Sequence, residues 1–256
     1  MKIVVLVKQV PDTWGSRKLD LSSGRLDRAA SELIIDEISE RAIETALTYQ
    51  GGHDAEVVVL AMGPASAADA LKKGLAMGAD SAVHIIDEDL AGADLARTAA
   101  VLASAITHIG FDLVVCGNES TDGRGGVIPS MLAEHLKTPS LAYLNSVEIA
   151  AGSVSGDRET EYGIVSVSSS LPAVISITDR SPEPRFPTFK GIMKAKKKPI
   201  TQLSLTHLAT GLTSHTGRSI IVTTNARPAR SAGQKVVDDG SAAEQLADFL
   251  ASERLI

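Results

Sequence analysis

A doubly wound α/β fold is predicted for this chain: a mostly parallel sheet with a small antiparallel section and an extended C-terminal arm. Three observations carry the prediction. Short continuous apolar runs alternate with amphipathic helical patterns over roughly the first 140 residues, which is the layout of βαβ units. The pattern changes near Leu141 and loses its periodicity after Pro199. Of the 256 residues 44% are apolar but only 3% aromatic, so the core must be built from Ala, Val, Leu and Ile.

The elements follow in chain order. Residues 3–7 are too continuously apolar for a strand with one wet face, so they read as a strand covered on both sides. Residues 57–61, 83–86 and 113–116 repeat this pattern. Residues 37–49 place Ile38, Ala42, Ile43, Ala46 and Leu47 on one helical face, with Glu40, Arg41 and Glu44 opposite. Residues 65–77 are Ala-rich and opened by Pro64, a residue suited to the first helical position. Residues 91–109 carry Leu95, Ala99, Leu102 and Ile106 and stop at Gly110. Residues 127–136 are a further helical segment. Right-handed crossovers between such strands give a doubly wound layer.

Residues 147–149, 159–167 and 171–177 read as strands of the antiparallel section, with a hairpin turning over residues 152–157. Beyond Pro199, residues 206–219 are rich in Thr, Ser, Gly and His, and residues 225–234 carry Arg227, Pro228, Arg230 and Gly233. Neither stretch can bury much apolar surface. Ser241 with Glu244 three residues on predicts a capping box for a last helix, whose apolar face is Ala243, Leu246, Ala247 and Leu250. The predicted division is therefore an α/β domain over residues 1–204 and an arm over residues 205–256. The arm reads either as a clasp on a partner or as an unpacked tail with a fraying helix.

Composition excludes several classes. The net charge of −6 argues against non-specific nucleic-acid binding. A lone cysteine, Cys116, excludes an internal disulfide and fits a reducing compartment. The apolar start is too short for a secretory h-region, Asp12 follows closely, and no run approaches the ~20 residues of a membrane span, so a soluble cytoplasmic protein is expected. The six histidines lie apart without metal-ligand spacing, and no nucleophile elbow is present, so neither a metal site nor a catalytic set is expected. His84 reads as a strand-edge residue and Cys116 as a core residue.

One glycine-rich stretch stands where ligands bind in open α/β sheets. GNESTDGRGG, residues 117–126, follows a predicted strand and precedes a predicted helix. Gly123, Gly125 and Gly126 permit close backbone approach, and amides there and at the helix N-terminus can cradle a phosphate. Asn118, Ser120 and Thr121 add hydrogen-bonding side chains, and Arg124 adds a charge. The same residues also fit a plain strand-to-helix turn. Leu6, Met62 and Asp36 stand at other strand ends or helix starts that can converge on one crevice.

The segment 171–199, LPAVISITDRSPEPRFPTFKGIMKAKKKP, opens as a buried strand. Pro182, Pro184 and Pro187 then forbid regular helix and central strand. Phe186 and Phe189 sit in the stiffened loop, followed by Lys190, Lys194, Lys196, Lys197 and Lys198. Either this is a protruding docking element, or the Phe rings fold back into the core beside a solvated lysine face.

Together with MKIVVLVKQVPD, LAMGP, KGLAMGADSAVH and GNESTDGRGG, that segment resembles the electron transfer flavoprotein β subunit. The resemblance covers nearly the whole chain and weakens after about Thr201. It implies the AMP-binding, non-bifurcating type. AMP would lie against Leu6, Asp36, Met62, Asn118, Glu119, Ser120, Thr121, Asp122, Gly123, Arg124, Gly125 and Gly126. An α subunit would hold FAD, and the pair would carry electrons from flavoprotein dehydrogenases, such as the acyl-CoA dehydrogenases of fatty acid oxidation, to a membrane quinone oxidoreductase. The chain would have no substrate turnover of its own. A docking loop over residues 182–198 would use Phe189, Ile192, Met193, Lys190, Lys194 and Lys197, with Phe189 standing where many relatives have leucine. The resemblance also implies that Glu159 steers the flavin domain, that Trp14 approaches the partner's flavin, and that residues 205–256 pack on the α subunit. Two other readings stand beside it: a bifurcating relative with a second FAD in place of AMP, and a nucleotide-binding stress or signalling module of similar sheet architecture.

Overall fold

The computed structural model of the chain describes residues 1–15, 17–208, 219, 221–230, 232, 233 and 235–256. Met1–Thr223 and Thr224–Ile256 form two compact units. The first begins with β1 (Lys2–Leu6), a short antiparallel pair β2 (Gln9–Pro11) and β3 (Leu33–Ile35), α1 (Glu37–Gln50), β4 (Glu56–Met62), α2 (Ala68–Met77), β5 (Ser81–Ile85), α3 (Leu95–Ile109), β6 (Leu113–Gly117) and α4 (Ile128–Leu136). It continues through β7 (Ser140–Leu144), β8 (Ser146–Ala150), β9 (Ser153–Thr160), β10 (Gly163–Ser170), β11 (Ala173–Ile177), α5 (Phe189–Ala195) and β12 (Ile200–Leu203). The second unit contains α6 (Ala242–Ser252).

Seven strands form one sheet in the order β12-β5-β4-β1-β6-β11-β7, every neighbouring pair parallel. Its central strand β1 sets Val5 opposite Val59 of β4 and Val115 of β6. Alternate residues feed two cores. Ile3, Val5, Val57, Val59 and Val115 pack with Ile43, Leu47, Leu71 and Leu75 of α1 and α2. Val4, Val58, Leu60, Val114 and Cys116 pack with Leu102, Ile106 and Leu132 of α3 and α4. Both faces are dry, which is why the strands read as unbroken apolar runs. Burial pushes the Cys116 thiol well above its ordinary pKa, so it stays a protonated core residue.

From β1 the chain steps outward to β4 and β5, and α3 then carries it back across β4 and β1 to β6. The order of winding reverses between β1 and β6, and this switch point locates the crevice described below. The second reversal is longer. After β11 the chain passes residues 178–199 and joins the sheet again as β12, on the opposite edge. That crossover runs past α1 and α2, and it is the segment predicted to dock partners.

Several predicted boundaries change. Residues 182–198 are not loop throughout: after Pro187 nothing opposes helix, Thr188 caps it by accepting from the Gly191 amide at 3.1 Å, and α5 forms. Phe186 and Phe189 are 92% and 80% exposed, so the reading that folds them into the core fails. Residues 159–167 are two strands with a turn at residues 161–162, where Gly163 supplies a φ of +127°. The preceding hairpin turns at Ala151 and Gly152 rather than over residues 152–157, and the resulting three-stranded antiparallel sheet is β10-β9-β8. Residues 173–177 belong to the parallel sheet instead. The third crossover helix starts at Leu95, not at 91, because Asp94 accepts from the Arg97 amide at 2.9 Å.

His84 lies on β5, which is flanked by β4 and β12, so it is an interior and not an edge residue; Nε2 bonds to the Gly63 carbonyl at 3.0 Å. Ser241 makes no capping box, since its hydroxyl donates to Asp239 at 2.6 Å. No residue of α6 is buried, and Leu246 and Phe249 are more than half exposed. Leu205 and Leu208, at the start of the predicted arm, are buried beside α3. Most of the Thr- and Ser-rich stretch, residues 209–218, lies outside the described residues. Among the described residues, no helix is long and apolar enough to cross a membrane.

Candidate functional site

The glycine-rich loop leaves β6 at the switch point and enters α4. Two carboxylates fasten it from below. Asp36, the N-cap of α1, is 1% exposed. Its Oδ1 accepts from the Ile38 amide at 3.0 Å, and its Oδ2 accepts from the Thr121 amide at 2.7 Å and the Thr121 hydroxyl at 2.8 Å. The second is the loop's own Asp122, whose side chain is 2% exposed. It receives Lys8 Nζ at 2.7 Å on one oxygen and Arg28 Nη2 at 2.7 Å on the other. Burial works against its charge, but the hydrogen bond and charge of Lys8, with Ser120 and Arg28, outweigh that and hold the carboxyl at about 2.

A third fastener comes from the segment between β2 and β3. Arg17 donates to the Thr121 carbonyl, to the Thr121 hydroxyl at 3.0 Å and to the Pro11 carbonyl at 2.7 Å. Thr121 is thus held through its amide, hydroxyl and carbonyl at once. Sequence reasoning missed Arg17 and Arg28, because residues 12–32 show no periodicity that would place them. Lys8, two residues beyond the end of β1, carried the one available signal. Tyr143, also missed, stands at φ +61° and donates to the Gly126 carbonyl at 3.0 Å.

The rest of the loop is open to a ligand. Gly123, Arg124 and Gly125 are exposed. A Cβ on Gly125 would meet only Leu95, at 3.4 and 3.5 Å, so this glycine is not required by the chain's own packing. Gly117 differs: a Cβ there would come within 2.8 Å of Ile38 Cγ2. The N-terminus of α4 has no side-chain cap, which leaves the Ile128 amide available to an anion, although Pro129 brings no N–H and the Met131 amide is used by the Val127 carbonyl. Asn118 donates its backbone amide to the Ile177 carbonyl at 2.8 Å, while its buried Oδ1 has no partner among the described residues. A buried acceptor without a donor is rare, and a hydroxyl or amino group of a nucleotide would satisfy it. Leu6 and Met62, at the ends of the adjacent strands β1 and β4, are half-buried and pack on the α3 side of the sheet. Leu6, Asp36, Met62 and residues 118–126 therefore gather at one end of the sheet, and these residues fit a phosphate-bearing nucleotide. Among the described residues, no group of His, Cys, Asp and Glu could hold a metal ion.

The predicted docking residues lie elsewhere, on the long crossover. Phe186, Phe189, Ile192 and Met193 are exposed apolar side chains on it. Lys190, Lys194, Lys196 and Lys197 are exposed beside them. Lys198 is not part of that set. Its ammonium caps the end of α2, donating to the carbonyls of Leu75, Gly78 and Ala79 at 3.3, 3.0 and 2.5 Å, and burial lowers its pKa. Glu159, at the exposed end of β9, pairs with Arg180. Trp14 is 96% exposed.

The chain matches the electron transfer flavoprotein domain over residues 24–208. The electron transfer flavoprotein subunit beta of Mycobacterium tuberculosis (strain ATCC 25618 / H37Rv) is 44% identical over 265 residues, covering 99% of each chain. That of Mycobacterium leprae (strain TN) is 43% identical over 265 residues, again covering 99% of each. That of Megasphaera elsdenii is 33% identical over 273 residues and covers the whole of both.

The double grip on Asp122 predicts a pH signature. A carboxyl depressed from 3.8 to about 2 contributes stability that is fully present above pH ~4 and is lost as pH falls towards 2. Asp122→Asn should cost about 1–3 kcal/mol at neutral pH, the usual loss when a charged hydrogen-bond partner is removed. Thermal melts of parent and variant should converge as pH approaches 2. A gap that stays constant from pH 7 to pH 2 would show that Asp122 does not stabilise the loop through its charge.

Proposed function

The chain belongs to the electron transfer flavoprotein family as a β subunit, and from that premise we propose that it is the nucleotide-holding and partner-docking half of a two-subunit electron carrier. An α subunit supplies the FAD, which accepts and releases the electrons. This chain supplies position. Electron tunnelling weakens steeply with distance, so a transient complex works by bringing two redox centres close and releasing them again. Weak encounters of that kind use a small apolar contact with a charged rim. The observation that best supports the reading is the crossover tip, where four apolar side chains stand exposed with lysines beside them. The donors are flavoprotein dehydrogenases, including those acting on acyl-CoA, and the acceptor is a membrane quinone oxidoreductase. The chain turns over no substrate of its own.

In the crevice, AMP acts as a structural ligand. The amides of Gly125, Gly126 and Ile128 receive its phosphate, Asn118 Oδ1 accepts from it, and Leu6 and Met62 offer apolar wall. Asp36, Asp122, Arg17, Lys8 and Arg28 hold the loop in shape for it. Mass spectrometry of nucleotide released from the denatured heterodimer tests this reading, with one AMP per β subunit expected. Gly125→Val should leave the melt of the isolated subunit unchanged, because this exposed glycine's Cβ position touches only the flexible end of Leu95, yet lower AMP retention about tenfold (~1.4 kcal/mol). Release of FAD beyond one per heterodimer, or of no nucleotide, overturns it.

Phe189 is the docking anchor of residues 182–198, assisted by Ile192 and Met193. Lys190, Lys194 and Lys197 speed encounter and are screened by salt. Phe189→Ala should cut electron transfer from a dehydrogenase severely at low and high ionic strength, with the melt within ~0.5 kcal/mol of the parent because the ring is exposed. Lysine-to-glutamine variants should lose less, and nothing at high salt. In the same assay Glu159→Ala, which removes a residue that steers the flavin domain, should alter rates without altering assembly. Parental rates in Phe189→Ala defeat the docking role, and parental rates in Glu159→Ala defeat the steering role.

Residues 205–256 clasp the α subunit. The helix α6 has an apolar face with nothing buried, and at ~25 cal/mol per Å2 its Leu246 and Leu250 could contribute on the order of 3–5 kcal/mol at an interface. A chain truncated before Ser241 should fold but fail to hold the α subunit at nanomolar concentration. Undiminished pairing, measured by size-exclusion chromatography at that dilution, means the arm is dispensable.

A further inference from the structure

The crossover that carries the exposed aromatics is clamped to the helices beneath it. At its start Arg41 of α1 donates to the Ser181 carbonyl. One turn later Glu44 takes Arg185 in a double fork, Nε to Oε2 and Nη2 to Oε1, each 2.8 Å. Glu44 Oε2 also accepts from the Arg185 backbone amide at 2.9 Å. Further on, α5 lies so close to α2 that a Cβ on Gly191 would collide with the Ala76 carbonyl. At the far end Lys198 is tied to the end of α2.

Phe186 sits between two of these constraints. The residue before it has backbone and side chain fixed on Glu44, and the residue after it is Pro187, which restricts Phe186 to extended conformations. A ring 92% exposed on a backbone with so little freedom gains nothing from the chain's own packing. Burial opposes the charge on Glu44, but its bonds to Arg185 prevail and lower its pKa, while Glu44 raises that of Arg185, so the pair stays ionised near neutrality. An ion pair that is bidentate, with one member's side chain only 13% exposed, is unlike the loose surface pairs that contribute nothing.

We infer that Glu44 and Arg185 are positioning residues that present Phe186 and Phe189 as a preformed pair of apolar anchors to the dehydrogenase partner. The inference rests on the docking reading above and adds two things to it. Phe186 is a second anchor, and the ordering of the tip is completed before the partner arrives. A preordered tip loses little conformational entropy on docking, so the clamp acts on how readily the complex forms. Once docked, the distance between redox centres is unchanged, so the maximal transfer rate does not depend on the clamp. Lysine cannot replace Arg185, because it lacks the planar fork.

The test uses the full αβ heterodimer, with transfer from a flavoprotein dehydrogenase followed as dehydrogenase concentration is varied. Arg185→Met, Arg185→Lys and Glu44→Gln should each raise the half-saturating concentration about tenfold and leave the plateau rate as in the parent, measured below the melting transition of each variant. The double variant Glu44→Gln with Arg185→Met should be no worse than either single change, since both break one interaction. Phe186→Ala should raise half-saturation as Phe189→Ala does. Parental behaviour of Arg185→Lys shows that only the charge matters and overturns the clamp. Parental half-saturation in Glu44→Gln, with Phe186→Ala and Phe189→Ala still impaired, also overturns the clamp while sparing the docking reading. Parental behaviour in both Phe variants overturns the two together.

Discussion

A parallel strand cannot return to its neighbour by a hairpin, and this constraint organises the whole chain. Every strand of the seven-stranded sheet is reached by a crossover, so both faces are covered and both must be apolar. The central strands β1, β4, β6 and β11 then present almost nothing polar from either face. Chemistry is left to two places: the strand ends, where connections emerge, and the crossovers themselves. Both candidate sites follow from this. The glycine-rich loop occupies the switch point between β1 and β6, and the aromatic tip rides on the crossover that passes the most strands, from β11 to β12.

The helix α1 serves both. Its N-cap Asp36 holds Thr121 of the loop, and one to two turns further on Arg41 and Glu44 hold the crossover. Its opposite face, through Ile38, Ala42, Ile43, Ala46 and Leu47, is buried against the sheet. A single amphipathic helix thus fixes both candidate segments relative to one rigid layer. Each segment carries little apolar burial of its own and depends on charged hydrogen bonds for its shape, which are strong where partly shielded and geometrically exact where forked.

The loop shows how such shape is maintained in a charged setting. Lys8, Arg17 and Arg28 approach it, each a cation of the kind that binds anions. Instead Asp122 takes Lys8 and Arg28, and Thr121 takes Arg17. The cations are absorbed by the loop's own acceptors and the Gly123 and Arg124 amides by Ser120, while the backbone amides of Gly125 and Gly126 and the uncapped start of α4 face a ligand. Backbone donors impose direction as well as attraction, which suits a ligand held for structure.

The parallel layer was legible in the sequence because burial on both faces leaves unbroken apolar runs, and Ile3, Val58 and Val114 show it as clearly as any contact map. Helix faces were legible for the same reason, and the glycine-rich loop was legible from Gly117 to Gly126 between two such patterns. Signals within a few residues of one another survive in one dimension. The short strands β7 and β12 and the helix α5 were not legible. They carry too few residues for a period to appear, and α5 follows three prolines that argue against it until Thr188 caps it. Arg17, Arg28 and the pairing of Glu44 with Arg185 were not legible either: the last partners are 141 residues apart. The sequence alone determined which segments bury themselves, since hydrophobic burial reads composition and period. Only the tertiary structure decided which charges meet, since an ion pair depends on the distance between side chains that the chain order does not encode.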